Sequence, residues 1–361
     1  MKRRTWWVLG LGAGGFAILA GIFFWSLGEA RYRPGDVTAA VQRGLPLEPR
    51  GSLAEEGAGP GPEKWSLEVE PGVTVRGLVR GTGTPVVVIH GGPGFAPAAT
   101  WAGLNVLGGR HRFYYPHQRG SGWSDRPVDR FATGDFGANL AVLDAKLGMV
   151  PQVADIERLR RALGVDKLDL VGHSFGGLMA CLYAVEFPGH VGKILLIAPA
   201  ALVKFPPPSG GLYEEIRRGL PAGRRAAYDA WLKDFFDYGR LFQRTEADLQ
   251  ALNAGVIPFY LEAAPHLDLP PDDSDPSLVG GWMMQALFFS LGQRHDWSAA
   301  LAAIHTPVTL VYGDADLSGS DDFAAYRVIS GLKVERLPGG SHFVAEDPGF
   351  SRSRAVQDAL E

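Results

Sequence analysis

The sequence predicts an α/β protein: a mostly parallel sheet flanked by helices, with an inserted helical cap and an N-terminal transmembrane helix. Three observations predict this. Short apolar runs recur at Val86–Ile89, Phe113–Tyr115, Leu168–Val171, Ile194–Ile197, Thr309–Tyr312 and Val334–Leu337, with helical patterns between several of them, at Val153–Leu163, Leu178–Glu186 and Arg352–Leu360. Residues 201–303 break that rhythm: they open on Pro206-Pro207-Pro208-Ser209-Gly210-Gly211 and continue as helices rich in aromatics. Near the start, the 22 residues from Trp6 to Leu27 carry no charge.

Each element has a physical reason. Strands buried on both faces read as continuous apolar runs, and their alternation with helices implies a parallel sheet with helices on both sides. Trp65–Val69 and Val73–Val79 are β-rich runs separated by Pro71-Gly72, a hairpin signal. The aromatic helices at Tyr228–Phe236, Leu241–Phe242 and Trp282–Phe289 read as a cap inserted between two strands of the sheet. A helix of 22 residues rises about 33 Å, enough to cross the hydrocarbon core of a bilayer. Lys2, Arg3 and Arg4 precede the span, which predicts a cytoplasmic start and an exported, membrane-anchored body, periplasmic or extracellular. The alternative is a secreted body after signal cleavage near Gly28-Glu29-Ala30. Residues 28–64 contain Arg33-Pro34-Gly35, Leu45-Pro46 and Gly57-Ala58-Gly59-Pro60-Gly61-Pro62 with little periodicity, and read as a flexible tether. The expected organisation is an anchor at 1–27, a tether at 28–64, a body at 65–200 and 304–361, and the cap at 201–303.

Composition narrows the function. With 361 residues, 46% of them hydrophobic and 20% charged, the chain can bury a sizeable core and is not a disordered segment. Basic and acidic residues number 35 and 39, a balance that argues against a nucleic-acid partner. The single cysteine, Cys181, excludes an intrachain disulfide and reads as a small buried side chain on an apolar helix. No His/Glu/Asp cluster has metal-ligand spacing such as H-E-x-x-H, so no metal is implied.

The chemistry lies in the loops that follow the apolar runs. Gly172-His173-Ser174-Phe175-Gly176 follows Leu168–Val171 and precedes a helix, the strand–turn–helix setting of a nucleophile elbow. Its glycines allow a tight turn that leaves a strained Ser174 with its hydroxyl exposed. His90-Gly91-Gly92-Pro93-Gly94 follows Val86–Ile89 and brings backbone N–H groups over that hydroxyl, so the amides of Gly92 and Phe175 are the expected oxyanion donors. His90, Gly91, Pro93, Gly94, Gly172, His173 and Gly176 are expected to support these loops. A nucleophilic serine needs a base, and the base needs an orienting carboxylate. His342 lies near the chain end, just after an apolar run, and is the expected base. Gly313-Asp314-Ala315-Asp316 follows Thr309–Tyr312 and offers two acids; Asp316 is favoured, because Asp314 stands directly after the turn glycine.

From Trp65 onward these residues resemble the α/β-hydrolase superfamily, and more narrowly the proline iminopeptidase-like serine hydrolases. The resemblance rests on His90–Gly94, Gln118-Arg119-Gly120-Ser121-Gly122-Trp123-Ser124, Gly172–Gly177, Gly313-x-x-Asp316 and His342. It implies a Ser-Asp-His triad, a helical cap over the site, no cofactor, and removal of N-terminal residues from short peptides. Two positions depart from that family. His117 stands where it usually has Asp, and Trp231-Leu232-Lys233-Asp234-Phe235 lacks the Glu that binds the substrate's amine. Asp234 and Glu262 are the acids proposed for that role, and Glu214, Glu215, Asp229 and Asp237 are further acids of the cap. The expected activity is that of an aminopeptidase of the proline iminopeptidase type acting on short peptides; the alternative is hydrolysis of small acyl esters with the same triad and an apolar acyl pocket. A membrane-tethered binding protein that keeps the fold without catalysis is a third reading.

Overall fold

A computed structural model of the chain describes residues 29–57, 63–207, 211–264, 275–317, 323–346 and 349–361. The charge-free run Trp6–Leu27 lies outside the described residues. Among those described, no helix is long and apolar enough to cross a membrane.

The chain enters through α1 (Asp36–Gln42), then β1 (Ala54–Glu56), β2 (Glu63–Glu70), β3 (Val73–Gly81) and β4 (Thr84–Ile89). After α2 (Ala102–Asn105) and β5 (His111–His117) come α3 (Phe136–Leu147), α4 (Met149–Ala162), β6 (Leu168–His173), α5 (Phe175–Glu186) and β7 (Val191–Ile197). Next follow β8 (Lys204–Phe205), α6 (Leu212–Gly219), α7 (Ala222–Phe235), α8 (Glu246–Ala254), α9 (Ile257–Ala263), α10 (Trp282–Leu291), β9 (His295–Asp296) and α11 (Ser298–Ala302). The chain closes through β10 (Val308–Gly313), β11 (Lys333–Leu337) and α12 (Arg354–Leu360).

Among the described residues the main sheet has nine strands in the order β1-β2-β3-β5-β4-β6-β7-β10-β11. β1 to β3 form an antiparallel edge, β3 pairs antiparallel with β5, and β5, β4, β6, β7, β10 and β11 run parallel. β8 and β9 pair antiparallel in a separate two-stranded sheet. Val86, Val87, Val88 and Ile89 are buried on both faces of the sheet, as their unbroken apolar run requires. In such a sheet, sites form where loops leave the carboxyl ends of strands. Here the loops after β4, β6, β10 and β11 carry His90–Gly94, Ser174, Asp316 and His342.

Helices α6 to α10 lie between β7 and β10, the position expected of the inserted cap. They pack on themselves through Ile216, Tyr228 and Phe259, and through Phe235, Val279 and Met284. α10 also returns to the body: it packs on α3, and its Ser290 hydroxyl donates to Asp144 and accepts from the Met149 N–H.

Within the segment read as a flexible tether, residues 32–47 are instead docked. Tyr32, Val37 and Leu47 are buried in the main core, and Asp36–Gln42 is helical. Glu186, buried at the end of α5, accepts from the Tyr32 hydroxyl at 2.8 Å, from the N–H groups of Gly35, Val37 and Thr38, and from the Thr38 hydroxyl. Arg158 donates to the Pro46 carbonyl at 2.7 Å. Gly and Pro punctuate this stretch without loosening it, because three apolar side chains and a remote carboxylate hold it. Hydrogen bonds to a buried charge are among the stronger ones, and losing the acceptor leaves several donors unpaired. Glu186→Ala should therefore cost about 3 kcal/mol in urea unfolding. A loss below about 1 kcal/mol would mean that this carboxylate does not hold the strap.

Candidate active site

Ser174 stands between β6 and α5 with φ 52° and ψ −121°, a left-handed conformation that a non-glycine residue adopts only when its surroundings impose it. The surroundings are glycines packed without room for a side chain. A Cβ on Gly176 would lie 2.0 Å from the Ile89 carbonyl oxygen, and one on Gly91 would lie 2.7 Å from the Ser174 Cβ. The loop after β4 and the elbow after β6 thus touch, which sets Gly91 and Gly92 beside Ser174. Phe175 opens α5, so its N–H has no intrahelical acceptor and lies next to the serine.

The acid and the base meet as well. His342 Nδ1 lies 2.7 Å from Asp316 Oδ2, and the Asp316 side chain is wholly buried. A carboxylate only accepts, so Nδ1 donates, and Nε2 is left as the basic nitrogen. The two loops are zipped together: the Ala315 N–H donates to the Gly340 carbonyl at 2.9 Å, and the Asp314 N–H to the Leu337 carbonyl at 3.2 Å. Asp314 faces away from the imidazole, accepting from the Gly339 N–H at 2.6 Å and from Arg336 at 3.0 Å. Asp314 shapes the junction, and Asp316 reaches the histidine.

The supporting histidines are neutral by construction. The Gln118 N–H donates to His90 Nε2 at 3.2 Å, so His90 Nδ1 carries the proton and donates to the Gly91 carbonyl at 3.0 Å. Complete burial pushes the His90 pKa down to about 4. His173 Nε2 donates to the His342 backbone carbonyl at 2.9 Å, and burial with neighbouring His342 lowers its pKa to about 3. His173 therefore fixes the backbone of the loop that carries the base. Cys181 is buried on α5, where desolvation pushes its thiol up to about 12.

The Gln118–Ser124 run anchors the same region. Gln118 also donates its side-chain amide to the His90 carbonyl at 3.0 Å, so it grips that loop from both sides. The next residue, Arg119, is fully buried and makes a bidentate pair with Asp155 at 2.6 and 2.7 Å, joined by Glu70 and Arg158. His117, which stands where the family usually has Asp, accepts from the Trp123 N–H at 3.0 Å and donates to the Pro97 carbonyl at 3.0 Å. A neutral imidazole offers one donor and one acceptor, and this site uses both.

Ser174, His342, Gly91 and Gly92 line one cavity of about 130 Å³. Phe95, Trp101 and Phe343 form its floor and sides, and the cap closes it with Tyr213, Ile216, Trp231, Phe235, Asn253, Tyr260 and Met284. No Asp, Glu, Lys or Arg is among the described residues that line it. Asp234 and Glu262, considered for amine binding, are not there. Asp234 pairs with Arg240 at 2.6 Å and Arg244 at 2.8 Å, with its side chain 47% exposed. Glu262 pairs with Arg224 at 2.7 Å on the outer side of α9. The reason is helical phase. Successive residues lie about 100° apart, so turning Trp231 and Phe235 inward puts Asp234 outward. Sequence reasoning missed Asn253, Tyr213 and Tyr260, because single polar residues in a helical pattern read as a solvated face.

A family model described as "alpha/beta hydrolase fold" matches residues 84–348. The chain belongs to the alpha/beta hydrolase fold family. Over 189 residues the chain is 30% identical to a 2-hydroxy-6-oxo-2,4-heptadienoate hydrolase of Pseudomonas putida, covering 51% of this chain and 59% of that protein. Over 120 residues it is 33% identical to a proline iminopeptidase of Heyndrickxia coagulans, covering 33% and 36%. It thus spans less than two thirds of the length of these curated relatives, and two hydrolases of different names match it at comparable identity. Among solved structures, an esterase from Exiguobacterium antarcticum superposes with a TM-score of 0.56 at 19% identity, covering 80% of this chain and 96% of that one. A proline iminopeptidase from Mycobacterium smegmatis superposes with a TM-score of 0.53 at 18% identity, covering 86% and 98%. These two likenesses are of fold.

Proposed function

We propose that this alpha/beta hydrolase cleaves neutral acyl esters through an acyl-enzyme on Ser174. His342 Nε2 takes the hydroxyl proton as Ser174 Oγ attacks the carbonyl carbon, and Asp316 stabilises the imidazolium that forms. The amides of Gly92 and Phe175 receive the oxyanion. Its collapse expels the alcohol, which takes its proton from His342, and water then attacks the acyl-enzyme with His342 again as base.

The observation that carries the ester reading is the absence of Asp, Glu, Lys and Arg from the described lining of the cavity. An aminopeptidase must hold a substrate ammonium, and placing an unpaired cation in a largely apolar cavity costs several kcal/mol. The proline iminopeptidase relative supports the peptidase reading, but Asp229, Asp234, Asp237 and Glu262 pair with arginines outside the cavity, and Glu215, buried near Tyr260, is not among the residues that line it. The dienoate in the name of the Pseudomonas relative is an anion, and no Lys or Arg lines the described cavity to meet it.

The test is a turnover panel of aminoacyl arylamides, free and N-blocked, beside alkanoate esters of increasing length. Faster cleavage of the esters, with no requirement for a free amine, is the expected result. Cleavage confined to substrates with a free N-terminal amine would overturn the ester reading in favour of an aminopeptidase. The basic start and uncharged run of residues 1–27 support an exported enzyme anchored in the bilayer. Recovery of the full-length chain in the soluble fraction would count against the anchor.

A further inference from the structure

Two buried polar atoms in the cap wall have no hydrogen-bond partner among the described residues. Asn253 on α8 is fully buried and lines the cavity. Its Nδ2 donates to the Gly280 carbonyl at 2.7 Å and the Gly281 carbonyl at 3.1 Å. Carbonyls only accept, so those two bonds fix which end of the amide is nitrogen and use both of its hydrogens. Oδ1 is left as a buried acceptor that no described residue meets. On α9, the Tyr260 hydroxyl is likewise buried without a hydrogen-bond partner. The Tyr260 ring lies 6.2 Å from the His342 ring, and desolvation with the nearby Asp316 charge raises its pKa well above normal, so the hydroxyl keeps its proton.

Leaving a buried polar atom unpaired is costly, and native structures seldom do it without a reason. Asn253 has a structural task, since Gly280 in turn donates to the Gly94 carbonyl at 2.8 Å and so ties the cap to the oxyanion loop. That task uses only the amide nitrogen. Among the described residues nothing bonds Asn253 Oδ1 or the Tyr260 hydroxyl, while the same cavity is walled by Phe95, Ile216, Phe235 and Met284.

We propose that Asn253 and Tyr260 determine specificity, and that the preferred substrate is a neutral ester carrying a hydrogen-bond donor away from the scissile bond. That donor, a hydroxyl or a secondary amide N–H, gives its proton to Asn253 Oδ1, and Tyr260 pairs with the same polar group. The inference rests on the ester reading above and names its substrate class. A site built to hydrogen-bond a substrate group discriminates strongly against the analogue that lacks it, because the protein's own polar atom is then stranded.

The test compares kcat/KM for alkanoate esters with that for matched esters bearing a hydroxyl or an acetamido group at successive positions, in the full-length chain, Asn253→Leu and Tyr260→Phe. Wild type should prefer a donor-bearing ester over its plain counterpart by about tenfold or more. Asn253→Leu should abolish that preference, whereas a merely structural role would lower both rates together and leave the ratio unchanged. Tyr260→Phe removes an atom that bonds no described residue, so its thermal midpoint should hold while the preference falls; it keeps the test decisive should Asn253→Leu not fold. Plain and donor-bearing esters cleaved equally by wild type, or a preference that survives both substitutions, would overturn the inference and leave the ester reading standing. Turnover of neither ester series by an enzyme that cleaves aminoacyl arylamides would overturn the ester reading itself.

Discussion

Ser174→Ala should lower kcat by about 10⁴-fold or more while leaving the free energy of unfolding in urea within about 0.5 kcal/mol of wild type. The size of the kinetic effect follows from the proposed chemistry: without Oγ no acyl-enzyme forms, and only oxyanion stabilisation and binding remain. The small effect on stability follows from the elbow's construction. Its left-handed backbone is imposed by Gly91, Gly172 and Gly176, and by the Ser174 N–H donating to the Ile197 carbonyl at 2.9 Å, none of which needs the hydroxyl. Retention of a tenth or more of wild-type kcat would exclude Ser174 as the nucleophile.

The second large effect separates the two acids of the loop after β10. Asp316→Asn should lower kcat by about 10³- to 10⁴-fold, because an amide can donate to Nδ1, favours the wrong tautomer, and does not stabilise an imidazolium. Asp314→Asn should change kcat by less than about tenfold, since Asp314 holds Arg336 and the Gly339 N–H rather than the base. The effect of Asp314→Asn should appear mainly as reduced stability of the Gly339–Gly340 junction, read as a lower thermal midpoint. The reverse ranking in kcat would assign the orienting role to Asp314.

Much of this architecture was legible because its signals are local. Continuous apolar runs mark Val86–Ile89 and Leu168–Val171 as central strands whatever surrounds them, and glycines that admit no side chain mark the elbow. Loop order along the chain was enough to bring Asp316 and His342 to the same end of the sheet. The docking of residues 29–50 was not legible, because Tyr32 and Glu186 lie 154 positions apart and no local pattern in a Gly- and Pro-rich stretch announces a remote carboxylate. The phase of the cap helices was equally hidden. Asp234 and Phe235 are neighbours in sequence, and only the packing of Phe235 against Met284 and Phe288 decides which of them faces the substrate. Asn253 and Tyr260 lay beyond reach for a related reason: what marks them is a missing partner, which three-dimensional packing alone reveals.

The account turns on Ser174 being a nucleophile activated by His342, and covalent labelling tests that most directly. Intact-mass and peptide mapping of the full-length chain after treatment with a fluorophosphonate should find one adduct, on Ser174. The adduct should be lost in Ser174→Ala and form at least about 10²-fold more slowly in His342→Ala. No adduct on Ser174, or an unchanged labelling rate in His342→Ala, would contradict the account.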